Sequence, residues 1–289
     1  MSENSTTIAL IGSGNMGEAI IAGLLRNGLA PSKSIYASGP RVERGAELQS
    51  RYGIQPFTDN AEAVRSADVI ILAIKPQKLK KTLAGLKGKI PVYALVLSIV
   101  AGASIQTLQE GLNHPTVVRS MPNTPAQIGE GITVWATSAT VSPAQAELAR
   151  KILSALGQEI FVEEESYLDM ATALSGTGPA YVFLFIEALF DAGVHLGLPQ
   201  RIAEQLIVQT IRGSVDYYQS RKLHPAALRN EVTSPGGTSA AALYYLEKAG
   251  FRTAVSRAVW AAFERSQELG KGRESKDPEQ NQESNPHNQ

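Results

Sequence analysis

The chain has 289 residues, of which 43% are hydrophobic, so it is long enough to form two domains with proper cores. Its 27 lysines and arginines balance its 27 aspartates and glutamates, which leaves no general charge to attract nucleic acid or an anionic membrane surface. Without cysteine it has no disulfide or cysteine–metal site, and nothing indicates an oxidising compartment. We therefore expect a cytoplasmic protein that binds no metal, nucleic acid or membrane.

Two further features bear on the membrane question. The segment 1–7 is polar and lacks the basic and apolar regions of a signal peptide. The most apolar stretch, Pro179–Leu189, is interrupted by Glu187. Because this stretch is too short to span a bilayer, it predicts a buried helix.

The first part of the chain, from Thr7 to Val162, alternates short apolar runs with helical patterns. Strands are predicted at Ile8–Ile11, Ser34–Ala37, Val69–Ile74, Tyr93–Ile99, Val117–Arg119, Ile132–Ala136 and Glu159–Val162. Helices are predicted at Asn15–Asn27, at Arg41–Tyr52 and from Pro143 until Gly157, with Ser142 as N-cap. This alternation is typical of a mostly parallel sheet with helices on both faces.

After about Tyr167 the strand signals stop and only helical patterns remain. Helices are predicted at Pro179–Leu196, Pro199–Gln219, Pro225–Val232, Ser239–Lys248 and Thr253–Leu269. The predicted fold is therefore an α/β, Rossmann-type N-terminal domain over 1–166 followed by an all-helical C-terminal domain over 167–270. The tail 271–289 has no aliphatic or aromatic residue and is expected to be disordered.

One helix of the second half is unusually apolar. The run from Tyr181 to Ile186 contains only apolar and aromatic residues, which indicates burial on several sides. An interface with a second copy of the chain explains such burial best, and an ordinary monomeric core is the alternative. We expect a homo-oligomer.

A glycine-rich loop lies between the first predicted strand and the first predicted helix. It has the Gly-x-Gly-x-x-Gly spacing, in which the glycines allow a tight turn, a close approach to pyrophosphate and close packing of helix on strand. Free N–H groups at the start of the helix can then bind the anion. The alternative is a glycine-rich turn without a ligand. The predicted cofactor residues here are Gly12, Ser13, Gly14, Asn15, Met16 and Gly17.

The end of the second strand indicates which dinucleotide binds. An NAD-selective unit places an acid there to hold the ribose 2′-OH, but here the first acid is Glu43. The hydroxyl of Ser38, with Arg41 and Arg44 nearby, suits a 2′-phosphate. We therefore expect NADPH as the coenzyme, and NADH is the alternative. In the alternative interpretation of this segment, both arginines are solvated helix residues.

The apolar strand beginning at Val69 is typical of the centre of a parallel sheet, and its carboxyl end should open into the ligand crevice. Proline keeps the preceding residue extended, so the backbone of Lys75 can line the crevice. Lys75 could instead be a catalytic acid or a loop charge. The predicted cofactor residues at this strand end are Ala73, Ile74, Lys75 and Pro76.

Several segments together carry a resemblance to a known family. They are Ala73–Pro76, Leu97–Gly102, Val118–Ala126, Leu174–Tyr181 and Val232–Ser239, followed by Leu246-Glu247 and Gly250-Phe251-Arg252. With these segments the chain resembles pyrroline-5-carboxylate reductase, over residues 7 to 270 or so. Its most specific segment is Ser234-Pro235-Gly236-Gly237, which few other Rossmann reductases carry.

The resemblance implies a fold, an activity and site residues. It implies an intertwined dimer, which some members assemble into a decamer, and a substrate site where 234–239 of one subunit faces the nicotinamide held by the other. It implies that a hydride passes from NAD(P)H to the imine carbon of 1-pyrroline-5-carboxylate, giving L-proline in the last step of proline biosynthesis. It also implies that Asn60 and Asn123 are further cofactor contacts, and that the substrate is held by Gly236, Gly237, Thr238 and Ser239.

The proposed chemistry agrees with the residue types. A cyclic imine is basic enough to arrive protonated, so the site needs orientation and desolvation more than a strong acid. The four histidines lie in unrelated parts of the sequence, and the sequence indicates no His–Asp pair. The glycines before the helix near Ser239 can supply N–H groups for the substrate carboxylate, although a plain helix cap is the alternative.

Two assignments stay open. The family usually has threonine where this chain has Ser239, so either Ser239 or Thr238 is the catalytic hydroxyl that serves the substrate. The loop containing Ser175 either shapes the wall of the substrate site or only begins the long apolar helix.

Two rival functions are also considered. A 3-hydroxyacid dehydrogenase would need a lysine on the first long helix of the second domain, and 168–200 contains none. A cofactor-sensing or scaffolding protein would tolerate loss of the family's residues in the substrate loop. Only Ser239 departs from the family pattern there.

Overall fold

The structure is a computed structural model that describes residues 6–270. The prediction for the tail 271–289 lies outside the described residues. Strands β1 to β8 are Ile8–Ile11, Ile35–Ser38, Gln55–Phe57, Val69–Leu72, Leu95–Ser98, Val117–Met121, Gly131–Thr137 and Gly157–Phe161. Helices α1 to α12 are Asn15–Arg26, Val42–Tyr52, Asn60–Val64, Leu79–Leu86, Ile105–Leu112, Pro143–Ser154, Tyr167–Ala171, Gly178–His195, Gln200–Arg221, Pro225–Glu231, Thr238–Lys248 and Phe251–Gly270.

The strands form one sheet in the order β3-β2-β1-β4-β5-β6-β7-β8. All neighbours are parallel except β6 and β7, which are antiparallel. This order confirms the predicted mostly parallel Rossmann-type sheet, and the part of the chain described after β8 is helical, as predicted.

The sequence prediction missed β3. This strand has only three residues, lies at the edge of the sheet and has Pro56 at its centre. Proline cannot donate to a strand ladder, so it is tolerated only at such an edge, and the segment lacks the alternating pattern of a half-buried strand. The prediction for β4 also ran too far, since the strand ends at Leu72 and not at Ile74.

Both faces of the sheet are covered by helices. In β1, Ile8 and Leu10 belong to one buried apolar cluster, whereas Ala9 and Ile11 belong to another. Successive strand residues point to opposite faces, so these two clusters are the cores on the two sides. This double burial explains why β1 and β4 are continuous apolar runs instead of alternating ones.

The register brings the carboxyl ends of the central strands to one level. Ile11, the last residue of β1, pairs with Ser38 of β2 and with Leu72 of β4. The chain leaves β1 towards β2 and β3, and then returns to place β4 on the other side of β1. This reversal between β1 and β4 is the switch point at which such sheets bind ligands.

The contacts divide the chain into two compact units: 178–260 forms one, and the rest of the described residues, including 261–270, forms the other. The end of α12 belongs to the sheet-containing unit, where the buried hydroxyl of Ser266 donates to Asp169 Oδ1 at 2.9 Å. The predicted domains, 1–166 and 167–270, place the boundary near the start of α7, whereas the compact units divide between Thr177 and Gly178. The predicted domain boundaries stay a prediction.

The unit 178–260 leaves large apolar side chains uncovered. Phe183 and Leu184 of α8 are 63% and 66% exposed, and no residue of α8 is buried. The single chain therefore does not bury α8 by itself, and the expected burial against a second copy stays a prediction. One helical run of the described residues, 167–195, is long and apolar enough to cross a membrane, judged by length and composition alone. The expectation that the apolar stretch is too short to span a bilayer is therefore wrong.

Candidate functional site

The glycine loop after β1 fits against β4 only because two of its residues lack a Cβ. Gly12 has φ = +111°, and a Cβ there would collide with the carbonyl group of Ala73, just beyond β4. A Cβ at Gly17 would collide with the carbonyl oxygen of Gly12. The backbone amide of Ala73 donates to Ile11 O at 2.8 Å and fixes this contact. These two glycines therefore set the entry of α1 at the switch point.

Helix α1 begins without a cap. Its N-cap residue is Gly14, and no side chain accepts a hydrogen bond from the first helical amides. The first amides of a helix have no partner inside the helix and carry its positive dipole. Gly14 is exposed and has open space around its Cα. The loop thus offers an anion such as a pyrophosphate a set of N–H donors that the anion can reach.

An arginine from α2 holds this loop from behind. Arg44 Nε donates to Ser13 O at 3.0 Å, and its Nη atoms pair with Glu18 of α1 and with Glu47. The guanidinium therefore joins the loop to both helices. The guanidinium is thus already paired with two carboxylates and a carbonyl, which disfavours the expected contact of Arg44 with a 2′-phosphate, and that contact stays a prediction.

Glu18 is the centre of this cluster. Arg51 Nη1 lies 2.6 Å from Glu18 Oε1, and the hydroxyl of Tyr52 donates to the same oxygen at 2.9 Å. Burial raises the pKa of Glu18, but the hydrogen bonds from Arg44, Tyr52 and Arg51 outweigh it and leave the pKa below its usual 4.5. Because the pKa is lowered in the folded state, the ionised carboxylate stabilises the fold at pH values above its ordinary titration range. This stabilisation is lost as the pH falls through the lowered pKa. The Glu18 carboxylate is therefore ionised at neutral pH, whereas Tyr52, whose pKa is raised mainly by burial, keeps its proton.

A cleft of about 510 Å³ opens beside the loop, at the carboxyl ends of β1, β2 and β4. Four of the predicted cofactor residues line it, namely Gly12, Ser38, Asn60 and Ile74. The buried hydroxyl of Ser38 donates to Asn60 Oδ1 at 2.7 Å, which joins the end of β2 to the start of α3. The structure thus brings these four residues together, and Asn60 keeps its amide NH₂ for a ligand.

Other predicted cofactor residues lie outside the lining of this cleft. Lys75 is exposed and extended, with φ = −69° and ψ = 145°, and Pro76 begins a short 3₁₀ turn. Asn123 accepts a hydrogen bond from the amide of Ile132 at 3.0 Å, so its carbonyl oxygen serves the local fold. Arg41 is the exposed residue before α2.

The predicted substrate loop has the same design as the cofactor loop. Gly236 has φ = +72°, and Gly237 is the N-cap of α11 without any side-chain cap. Thr238 and Ser239 are the first two residues of the helix, the former exposed and the latter half-buried. Within the described residues neither hydroxyl makes a hydrogen bond. Both are therefore available to an anion bound at the uncapped amides.

Ser175 does not lie in a loop. A π-helical turn over Thr172–Gly176 follows α7 directly, and Ser175 Oγ donates to Ala171 O at 2.9 Å. A π turn inserts one extra residue per turn and frequently occurs at functional sites. The expectation of an irregular loop is wrong, whereas the substrate role of Ser175 stays a prediction.

Two of the histidines have structural partners. His114 is buried with its Nε2 2.8 Å from Ala94 O, and burial lowers its pKa, so the ring is neutral at neutral pH. His224 caps α10 by accepting from the amide of Ala226 at 3.2 Å. Neither ring lines the cleft beside the cofactor loop.

Sequence reasoning missed two groups of residues at the site. One is the cluster around Glu18, whose members are far apart in sequence. The other is a set of residues that line the cleft from the turn before α4, from α4 and from the segment after it: Lys78, Lys81, Thr82, Gly85 and Lys89. Their helical spacing directly after a cofactor strand is the signal that could have found them.

Two family models match the chain. Residues 165–269 match the model described as pyrroline-5-carboxylate reductase dimerisation. Residues 7–102 match the model described as NADP oxidoreductase, coenzyme F420-dependent. The first match covers the helices whose apolar side chains are exposed in the single chain, and it supports homo-oligomerisation.

Whole relatives match over nearly the entire chain. Pyrroline-5-carboxylate reductase of Synechocystis sp. is 44% identical over 92% of this chain and 99% of its own. The same enzyme of Pseudomonas aeruginosa is 41% identical over 91% of this chain and 96% of its own. A crystal structure of Plasmodium falciparum pyrroline carboxylate reductase with NADP bound is 33% identical, with a TM-score of 0.86, and covers 93% of this chain and 99% of its own.

The cluster behind the cofactor loop leads to a test. Arg44→Ala should weaken the binding of NADPH and NADH alike, by about tenfold, because it frees the loop without touching the ribose phosphate. Dissociation constants from fluorescence titration measure both effects. Arg51→Ala is the matched control, since Arg51 is 56% exposed and contacts Glu18 but not the loop, and it should change both constants far less. A loss confined to NADPH would restore Arg44 as a 2′-phosphate ligand.

Proposed function

The chain belongs to the pyrroline-5-carboxylate reductase family, and from this premise we propose that it reduces the ring imine of 1-pyrroline-5-carboxylate to L-proline with NADPH. The observation that carries the proposal is the pair of uncapped helix N-termini, at Gly14 and at Gly237. One suits the pyrophosphate of a dinucleotide and the other the carboxylate of a small substrate. NADH is the alternative hydride donor.

The residues of the first site fit a dinucleotide. The glycine loop Gly12–Gly17 binds the pyrophosphate through its amides, and Ser38 with Asn60 receives the ribose at the end of β2. The backbone from Ala73 to Pro76 lines the nicotinamide half, and Asn123 contributes its amide group there. When bound, the coenzyme supplies a hydride from C4 of the nicotinamide.

The second site holds and orients the substrate. The amides at Gly236, Gly237 and the start of α11 bind the carboxylate, and the hydroxyl of Ser239 adds a charge-assisted hydrogen bond. The carbon of the N-protonated imine would accept the hydride, and the π electron pair of the C=N bond would move onto nitrogen as the lone pair of the product amine. No side chain has to supply a proton in this step, which agrees with a loop built from glycines and hydroxyl groups. Ser175 belongs to the wall of this site.

The assembly is also part of the proposal. The family model for dimerisation supports a homo-oligomer. We infer a dimer in which 234–239 of one subunit serves the nicotinamide site of the other, with a decamer of such dimers as the alternative assembly. The Rossmann domain then extends over 1–166 and the substrate and dimerisation domain over 167–270. The balanced charge and the absence of cysteine support a cytoplasmic enzyme without nucleic-acid or membrane partners.

The function is tested by turnover. The purified full chain should oxidise NADPH in the presence of 1-pyrroline-5-carboxylate, with formation of L-proline measured by chromatography. A 3-hydroxyacid with NADP⁺ in the reverse direction is the control for the rival dehydrogenase class and should give no reduction of coenzyme. Tight NADPH binding without turnover of any cyclic imine would contradict the proposal.

The two hydroxyl candidates can be separated by mutation. Ser239→Ala should lower kcat/KM for the imine about 10- to 100-fold, since a hydrogen bond to a charged group contributes about 1.5–3 kcal/mol. Thr238→Ala should cost less, because Thr238 is the more exposed residue at the first helical position. Steady-state kinetics with the imine varied measures both. The opposite order would assign the role to Thr238.

Coenzyme preference gives a further test. Arg41→Ala should raise KM for NADPH about tenfold and leave that for NADH nearly unchanged, because only NADPH carries a 2′-phosphate for the guanidinium. Kinetics with each coenzyme measures the difference. An equal effect on both coenzymes would remove Arg41 from 2′-phosphate recognition.

A further inference from the structure

Three lysines share one wall of the cleft beside the cofactor loop. Lys78 ends the 3₁₀ turn before α4, Lys81 lies in its first turn, and Lys89 follows the helix. With Thr82 and Gly85 they occupy positions i, i+3, i+4, i+7 and i+11 of a helical pattern, and all five line the cleft. Thus one face of α4 and its flanking turns is directed at this cleft.

The other wall is the end of β2, where a Rossmann unit recognises the ribose of the adenosine half. It contains Ser38, Gly39, Pro40 and Asn60. Asp59 is the only acidic group among the described lining residues, and its carboxylate accepts from the amide of Ala61 at 2.9 Å as the cap of α3. The Oδ1 atom of this single lining carboxylate is thus used to cap α3.

The lysines are the available cations of this cleft. All three are exposed, and within residues 6–270 none of them forms an ion pair. Arg44 is committed to Glu18 and Glu47, and Arg41 is not among the lining residues. At Gly85 nothing lies within 4 Å of where a Cβ would be, so the wall between the lysines leaves room for a ligand.

We propose that Lys78 and Lys81, in addition to Arg41, bind the phosphate on the ribose 2′ oxygen and so strengthen the preference for NADPH over NADH. This proposal rests on the NADP(H)-dependent function proposed above. The ammonium groups approach from the β4 side of the cleft, whereas the end of β2 supplies Ser38 and Asn60. Lys89, beyond the end of α4, lies at the far end of the stripe and adds only to the general positive potential.

The test uses the double variant Lys78→Met/Lys81→Met in the full chain. It should raise KM for NADPH at least tenfold and leave KM for NADH within about twofold, because only the 2′-phosphate loses its cations. Titration calorimetry with adenosine 2′,5′-bisphosphate should show the same loss, and adenosine 5′-monophosphate should bind as it does to the unchanged protein. This second readout does not depend on catalysis.

The matched control is Lys80→Met/Lys87→Met. Lys80 lies in α4 and Lys87 directly follows it, but both line a different cleft, with Leu83 and Thr107. The control should leave both coenzymes unaffected, and Lys81→Arg, which keeps the charge, should retain most of the NADPH preference. Equal losses for NADPH and NADH in the Met double variant, or no loss at all, would overturn the proposal. Neither result touches the proposed function, which is decided by turnover of the unchanged chain.

Discussion

The absence of two Cβ atoms, at Gly12 and Gly17, is the constraint on which the cofactor site depends. It lets the loop lie against the carbonyl of Ala73 at the switch point between β1 and β4. The ends of β1, β2 and β4 stand at one level there, and α1 begins next to them with first amides that no side chain caps. The cleft, the Ser38–Asn60 hydrogen bond and the lysine face of α4 are all arranged around that junction.

A different constraint governs the helical unit. The apolar side chains of α8 need cover that the single chain does not provide, and the family accounts for this through its dimerisation region. Burial of such a surface between copies makes the stability of the protomer depend on protein concentration by mass action. Exposed apolar positions of this kind are a liability in a monomer and are typical of surfaces that bind another protein.

Local patterns predicted much of this arrangement, and long-range contacts explain the rest. The strand–loop–helix around Gly12 and the helix start at Gly237 are both legible because glycine spacing carries their geometry within a few residues. The sequence did not predict strand β3, because its pairing with β2 and not a pattern of its own makes it a strand. The pairing of Arg44 with Glu18 joins residues 26 positions apart, so no window of sequence contains it. For Ser175 the local pattern itself misled the prediction. Its π turn continues α7, whereas the glycines and the proline in this segment indicated a loop.

The return of α12 to the sheet-containing unit has a consequence for how the chain can be divided. Residues 178–260 are inserted between two pieces of one unit, and Ser266 is hydrogen-bonded to Asp169 across the join. A single cut of the polypeptide, whether by a protease or by a truncated gene, therefore cannot release an intact sheet-containing unit. A nick inside the insertion leaves two fragments that each carry part of that unit, whereas a gene ending before α12 removes the Ser266 hydroxyl and leaves Arg119 as the partner of the Asp169 carboxylate. Any exchange of the helical unit between relatives needs two junctions, one on each side of the insertion.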